Sequence, residues 1–151
     1  MSVPKSVTRM YGTHVKYVSS VDRAEYTITE LTRAALRDVG KYCVRMANIA
    51  AQKLPGMKKS RRVRGRTSAF QYWVRKRESD LQVGIKHDTW YGVNQELGTK
   101  RMPRKNILRD SVYNNIPTIV EIESKYLSAL EDEAEALALI DEEETIGGDD
   151  T

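Results

Sequence analysis

Residues 90–109 read WYGVNQELGTKRMPRKNILR, and the local backbone chemistry is stricter here than in the rest of the chain. Gly98 suits a left-handed backbone angle that other residues adopt only with strain. Pro103 has a pre-set φ that favours a first helical position. The stretch therefore predicts a rigid, charged corner between two elements, and such corners usually carry contacts rather than core.

The corner gathers a carboxylate, a hydroxyl and several cations, so catalysis is the first function to weigh. Neither histidine of the chain stands at a metal-ligand spacing to Cys43, which is best explained as a buried, inert thiol. No glycine-rich phosphate motif occurs. A nuclease-like set of Asp80, Asp88 and Glu96 has no specific support from its spacing. The sequence therefore predicts no enzyme activity, no catalytic residue, no cofactor and no metal.

The length of 151 residues suits one domain that is large enough to bury a core. A single cysteine rules out an internal disulfide framework and fits synthesis in a reducing compartment. No apolar run approaches a transmembrane length, and the N-terminus lacks the apolar region of a signal peptide. We therefore expect no membrane partner.

Charge is distributed unevenly along the chain. Residues 1–130 hold all 25 basic residues and 11 acidic ones, whereas residues 131–151 hold 10 acidic residues and no basic one. This asymmetry indicates a polyanionic partner or contacts between copies of the chain. The alternative is that the charges serve solubility alone.

The clearest predicted element is a long helix over residues 27–54. Thr27 and Glu30 have the spacing of a capping box at its start, and apolar residues then recur at steps of three and four. The helix would be about 40 Å long at ~1.5 Å per residue. Gly40 near its middle indicates a close backbone contact. Residues 1–26 are predicted to be an extended arm or a strand.

Alternating residues predict a β-hairpin over residues 69–87, with Trp73 on its polar face as a candidate for a second layer or a subunit interface. A short helix is predicted at 104–115 and an amphipathic helix at 117–140. Residues 141–151 predict a flexible acidic tail. The predicted fold class is α+β, with the long N-terminal helix packed on a small antiparallel hairpin, followed by a short helix, a C-terminal helix and the tail.

Seven basic residues crowd positions 53–66, and like charges this dense keep a segment extended. We predict a basic loop over residues 55–68, inside a single domain spanning 27–140, that contacts phosphate groups or a partner protein. The loop has no aromatic residue for base stacking, so sequence-specific nucleic-acid recognition is not expected. Its candidate contact residues are Lys58, Lys59, Arg61, Arg62, Arg64 and Arg66.

The order of residues in the corner resembles a signature of the tail-completion or neck proteins of long-tailed bacteriophages. That signature runs tyrosine, glutamate–aromatic–glycine–threonine, proline, and phenylalanine–leucine–arginine–proline. The order of predicted elements over about residues 25–130 is similar as well. The matching positions here are Tyr91, Glu96-Leu97-Gly98-Thr99, Met102-Pro103 and Ile107-Leu108-Arg109.

Several positions depart from the family's pattern. Leu97 stands where an aromatic residue is usual, Asn106-Ile107 replaces a Pro-Phe pair, and Asp110 replaces the second proline. The threonine–glycine signal that often follows the long helix is missing, and the basic loop stands in its place. The implied fold survives these changes, but they leave open which ring of the neck the chain would occupy.

The resemblance implies a structural virion protein that is synthesised in the host bacterial cytoplasm and assembles at the phage head–tail junction. It implies a homo-oligomeric ring of six copies that joins the tail to the connector. The implied partners are other neck and tail proteins: a stopper or head-completion protein, a tail terminator and the tail tube. Because a neck surrounds the DNA path, genomic DNA would lie nearby without specific contact.

Within the corner, Glu96 is expected to pair with Arg101, with Arg104 or with the basic loop of a neighbouring copy. Thr99 is expected to cap locally through its hydroxyl, and Tyr91 to pack the corner onto the closing helix. The candidate interface residues are therefore Tyr91, Glu96, Gly98, Thr99, Arg101 and Arg104, together with Trp73 and the basic loop. The alternative function is a basic nucleic-acid-binding module that contacts DNA through loop 55–68.

Overall fold

The computed structural model describes residues 3–5, 7–11, 15–54, 69–75, 77–87 and 90–146. Its architecture is α+β, as predicted, with a long N-terminal helix, antiparallel hairpins and several shorter helices. The strands are β1 Val7–Tyr11, β2 Val15–Ser19, β3 Phe70–Arg75 and β4 Asp80–Ile85. The helices are α1 Val21–Gln52, α2 Trp90–Leu97, α3 Ile107–Tyr113, α4 Ile116–Ser128 and α5 Glu133–Ile146.

The long helix begins one and a half turns before the predicted capping box. Ala24 already donates its backbone N–H to the carbonyl of Ser20 at 3.0 Å. The Thr27 hydroxyl donates to the carbonyl of Arg23 at 3.0 Å, a mid-helix contact, and Glu30 pairs with Arg33. The predicted start at Thr27 is wrong because residues 21–26 contain no helix breaker. Before the helix, β1 and β2 pair as an antiparallel hairpin.

The second half of α1 packs on the β3–β4 hairpin. The buried side chains of Ala47 and Phe70 form a core cluster with Ile107 of α3. Gly40 provides the close approach that its position in the helix predicts, because a Cβ there would lie 2.4 Å from Cδ2 of the Tyr72 ring and 3.0 Å from Cδ1 of Leu81. The α1 backbone therefore lies directly against side chains of the sheet.

The strands of the predicted β3–β4 hairpin are confirmed. Burial alternates in β3, where Phe70 is buried and Trp73 and Arg75 are exposed, whereas every residue of β4 is half-buried. The turn before β4 contains Ser79, whose φ of 48° is the left-handed conformation that turns often require. Arg75 and Asp80 face each other at the turn end and form an ion pair. The apolar face carries the cross-strand pairs Phe70–Ile85, Tyr72–Val83 and Val74–Leu81.

The chain forms two compact units, and α1 and α4 each contribute to both. Unit 1 comprises Met1–Ala35 with Ser124–Thr151, and unit 2 comprises Leu36–Glu123. In unit 1, Arg23 near the start of α1 forms an ion pair with Glu133 at the start of α5. The buried residues of unit 1 include Thr27, Glu30, Leu31, Ala34, Tyr126, Ala129, Ala136, Leu139 and Ile140.

The C-terminal region differs from the prediction of one helix over 117–140 and a flexible tail. α4 ends at Ser128, a 3-10 turn follows at Ala129–Glu131, and α5 then runs through the acidic run to Ile146. Asp132 starts α5, because its carboxylate accepts the backbone N–H of Ala134 at 2.9 Å and its carbonyl accepts that of Ala136 at 3.0 Å. The last part of the predicted tail, residues 147–151, lies outside the described residues.

Candidate functional site

The Gly98 corner, defined as residues 92–109, contains most of α2, the turn after it and the start of α3. Gly98 has a φ of +78°, so the predicted left-handed conformation is confirmed. Its N–H donates to the carbonyl of Asn94 at 2.9 Å, which closes the last turn of α2. A Cβ at Gly98 would lie 2.7 Å from the backbone nitrogen of Arg104. Two backbone segments therefore meet at a distance that only glycine allows.

A tight turn forms the tip of the corner. Thr99 donates its N–H to the carbonyl of Met102 at 2.8 Å, and Met102 returns an N–H to the carbonyl of Thr99 at 3.1 Å. The Thr99 hydroxyl accepts the N–H of Arg101 at 3.4 Å, so the expected local cap exists but is long for a hydrogen bond. Lys100 and Arg101 therefore project from a turn that the backbone holds at both ends.

The chain then runs back along the end of α2 before the next helix begins. Lys105 donates its N–H to the carbonyl of Gln95 at 2.8 Å. Asn106 follows in a left-handed conformation, with φ 48° and ψ 37°, and α3 starts after it. Pro103 therefore does not occupy a first helical position, contrary to the prediction. Lys105 is bonded to the end of α2 and Asn106 is left-handed, so the helix begins only at Ile107.

Glu96 closes the corner from the α2 side. Its two carboxylate oxygens accept the backbone N–H of Leu108 at 3.1 and 3.0 Å, and one of them also accepts the N–H of Arg109 at 3.0 Å. Asn106, at the N-cap position of α3, makes no side-chain cap of its own. Glu96 therefore supplies the cap from twelve residues away, and its charge lies at the end of the helix dipole that favours an anion.

This role replaces the ion pair within the chain that the sequence suggested for Glu96, while pairing with the basic loop of a neighbouring copy stays a prediction. Within the described residues Glu96 pairs with neither Arg101 nor Arg104, both of which are exposed. An exposed ion pair contributes little, whereas unpartnered N–H groups in the first turn of a partly buried helix are costly. The geometry therefore favours hydrogen bonds from backbone N–H groups to Glu96 over ion pairs between Glu96 and the guanidinium groups.

Unit 2 holds the corner in place from several directions. Ile107 is buried against Ala47 and Phe70. A Cβ at Gly92 would lie 3.1 Å from Cγ2 of Ile85, so α2 also lies closely on β4. Beyond α3, the hydroxyl of Tyr42 donates to the side-chain oxygen of Asn115 at 3.0 Å. The corner is therefore a preformed part of the unit.

The outward side of the corner is both apolar and basic. Leu97 is 72% exposed, Val93 44% and Met102 38%. Beside them Lys100, Arg101 and Arg104 are exposed as well. A surface of this composition suits binding of an acidic and partly apolar partner.

The structure places the remaining predicted residues outside the corner or leaves them undescribed. Trp73 is 44% exposed on the outer face of β3, close to Gly84 of β4. Tyr91 belongs to α2, but its side chain lies outside the described residues, so its predicted packing role stays a prediction. The basic loop is also outside them, with its candidates Lys58, Lys59, Arg61, Arg62, Arg64 and Arg66.

Cys43 and Asp80, two of the groups considered for catalysis, have structural surroundings, whereas Asp88 lies outside the described residues. Cys43 is buried, and its burial raises the pKa of the thiol, which disfavours the reactive thiolate. The Arg75 guanidinium holds the pKa of the Asp80 carboxyl below its usual range, mainly through their hydrogen bond. Within the described part of the chain, no group of three or more His, Cys, Asp and Glu residues is arranged to hold a metal ion.

Comparison with known proteins gives no match: neither a protein-family model, nor a curated protein, nor a solved structure resembles the chain significantly. Among the residues that the structure describes, no helix combines the length and apolar character needed to cross a membrane. Any functional assignment therefore depends on the sequence pattern and on the geometry of the corner.

Proposed function

We propose that this protein is a structural virion protein that forms a ring of copies at the head–tail junction of a long-tailed bacteriophage. In this proposal it joins the tail to the connector and performs no catalysis. The observation that carries the proposal is the Gly98 corner. Its residue order resembles the neck-protein signature, and Glu96, Gly98 and Ile107 of that order have connected structural roles.

Three signature positions take part in one locking arrangement. The backbone at Gly98 approaches Arg104 too closely for a side chain, and Glu96 caps the helix that begins at Ile107. A signature that preserves glutamate, glycine and a following helix start is what such a lock requires. This arrangement supports a resemblance in structure as well as in sequence.

The order of elements supports the same proposal. A long helix, a hairpin, the corner and a closing helix follow one another as they do in the predicted neck-protein arrangement. In unit 2 the hairpin and the start of α3 share one buried cluster with α1. The rigid surfaces of such a unit suit a building block of an assembly.

The charge distribution gives the copies a reason to associate. Unit 2 holds 19 basic and 8 acidic residues, a formal net charge of +11, whereas unit 1 holds 6 basic and 13 acidic residues, a net charge of −7. Opposite charges on two parts of one chain favour head-to-tail contacts between copies, and such contacts close into a ring when the rotation permits. A ring of six copies between a stopper or head-completion protein, a tail terminator and the tail tube would use these contacts.

A phage that encodes this chain provides the test. When an early stop codon is placed in the gene, electron microscopy of the lysate should show filled heads and separate tails that do not join. Supplying the wild-type chain from a plasmid should restore joined particles. Normal yields of joined virions without the chain would contradict the proposal.

The alternative, a DNA-binding module, draws support from the net charge of unit 2. Binding to phosphates through loop 55–68 would show a steep fall in affinity with salt, seen in gel-shift assays on duplexes of unrelated sequence. The two functions are separable, because a DNA-binding module would leave heads and tails joined in the stop-codon phage. A chain that binds no DNA at low salt removes the alternative.

A further inference from the structure

The outward side of the Gly98 corner forms a defined surface, the corner face, made of Val93, Leu97, Met102, Lys100, Arg101 and Arg104. Leu97 and Val93 lie one helical turn apart on α2, so their exposed side chains share one side of the helix. The cations follow directly in the tip and the returning segment. The lock at Gly98 and Glu96 fixes the backbone of this surface, which lowers the entropy lost on binding.

The exposed face of α5 has the complementary composition. Glu135, Ala138 and Glu142 stand at i, i+3 and i+7 on its solvent side, with Ala134 beside them. The opposite side of the helix is buried through Ala136, Leu139 and Ile140. α5 therefore presents small apolar side chains between two carboxylates, on a helix whose other side is held by its own unit.

We propose that the corner face of one copy binds the exposed face of α5 of a second copy. The carboxylates of Glu135 and Glu142 are opposite in charge to the cations of the corner face, so the two surfaces attract each other. The small side chain of Ala138 between them, with Ala134 beside Glu135, allows a close approach for the exposed apolar side chains of α2. This inference rests on the proposed homo-oligomer and names the two surfaces that join it.

The apolar part of the corner face favours this occupant over nucleic acid. Phosphate groups would satisfy Lys100, Arg101 and Arg104 but would leave Leu97 in water. A helix that carries both carboxylates and alanines covers both kinds of surface. Because the corner face and α5 are different surfaces of one chain, the contact is heterologous, the type from which rings or filaments grow.

A charge-swap experiment tests the pairing in the full-length chain. One variant carries Arg101→Glu with Arg104→Glu, and a second carries Glu135→Lys with Glu142→Lys. Self-association is measured by sedimentation velocity at low and high salt, and circular dichroism checks that each variant folds. A matched control for the first variant, Arg45→Glu with Arg77→Glu, makes the same change in net charge at exposed positions that belong to neither surface.

The wild-type chain and the control are expected to associate at low salt and to dissociate as salt rises. Each swap variant alone should associate on the order of tenfold more weakly or less, because two like charges then meet. An equimolar mixture of the two variants should recover association, since each surface then finds an opposite charge.

Three results overturn the inference: a wild-type chain that stays monomeric at low salt up to its solubility limit, a swap variant that associates as the wild type does, or a mixture that does not recover. None of these results alters the stop-codon test, which asks only whether heads and tails join. Failure of the pairing and failure of the proposed function are therefore distinguishable.

Discussion

Glu96 shows how one side chain can fix a joint between two helices. Its carboxylate accepts hydrogen bonds from two backbone N–H groups of α3, while its own helix, α2, ends one residue later at Leu97. These hydrogen bonds thereby hold the two ends of the segment between Gly98 and Ile107 together. Two residues of the joint, Gly98 and Asn106, have positive φ, which small or amide side chains tolerate best.

Replacing Glu96 with alanine removes the only side-chain cap that the described residues provide for α3. We expect Glu96→Ala to lower the free energy of unfolding by about 1–2 kcal/mol, since two N–H groups lose their acceptor. Urea denaturation followed by circular dichroism measures the change. The control is Glu121→Ala on α4, an exposed position that should change stability by less than about 0.5 kcal/mol. Equal losses in the two variants would refute the capping role.

Replacing Gly98 with valine tests the close approach at the corner. The variant combines a left-handed angle that valine rarely adopts with a Cβ at 2.7 Å from the Arg104 backbone nitrogen. We expect a loss of about 2–4 kcal/mol, or a chain that does not fold, measured in the same denaturation experiment. Lys100→Ala at the exposed tip should change stability by less than about 0.5 kcal/mol. A Gly98→Val protein of wild-type stability would show that the corner is not locked.

At this scale the sequence predicted the conformation of Gly98 but not the partner of Glu96. Glycine adopts a positive φ far more readily than other residues, so the residue type alone indicates the conformation. The Glu96 contact joins residues twelve apart through space, and nothing local specifies it. The sequence pointed elsewhere, because Asn106 is of a residue type that usually caps its own helix, and only the structure shows that it does not.

The pairing of α1 with the β3–β4 hairpin depends on a missing side chain. Gly40→Ala would gain about 1 kcal/mol of helix propensity, but its Cβ would lie 2.4 Å from Cδ2 of Tyr72. Displacing a ring from its packed position costs about 1–3 kcal/mol, so we expect a net loss of stability. Thermal unfolding measures it, and adding Tyr72→Leu to the variant should recover part of the loss. A clear rise in the melting temperature of Gly40→Ala alone would contradict this packing.

The β3–β4 hairpin should be sensitive to acid at its turn. Arg75 holds the pKa of Asp80 below its usual range, so their pair contributes stability fully above the unfolded-state pKa of Asp80. That contribution is lost as the pH falls through the lowered pKa of the folded state. We expect the difference in melting temperature between the wild type and Asp80→Asn to shrink as the pH is lowered through this window. A difference in melting temperature that stays constant with pH would show that the Arg75–Asp80 pair does not stabilise the hairpin.

Elements with strong local patterns were predictable, and boundaries set by competing signals were not. The alternation of β3 and β4 predicted their faces, because burial on one side imposes a period of two. At the start of α1, the Thr27–Glu30 pattern misled because a matching spacing also occurs inside helices. At Asp132 a real cap went unrecognised, although the acidic residues after it are typical of a first helical turn.

In the whole molecule, the feature that most favours assembly is the division of charge between a basic unit 2 and an acidic unit 1. The sequence predicted this charge asymmetry from the acidic residues near position 140. In the structure most of these acidic residues belong to a helix of unit 1 rather than to a flexible tail. Deleting residues 131–151 would therefore remove Ala136, Leu139 and Ile140, which are buried. Charge replacement on the exposed face tests the role of the acidic residues without removing that core.

The location of the chain in a virion decides whether it is a protein of the head–tail junction. Cryo-electron microscopy of a phage that encodes the chain, with an epitope tag carried on the protein, would find it. We expect density for the chain in a closed ring between the portal end of the head and the top of the tail tube. Density in the capsid shell or the tail fibres, or virions that lack the chain altogether, would contradict it.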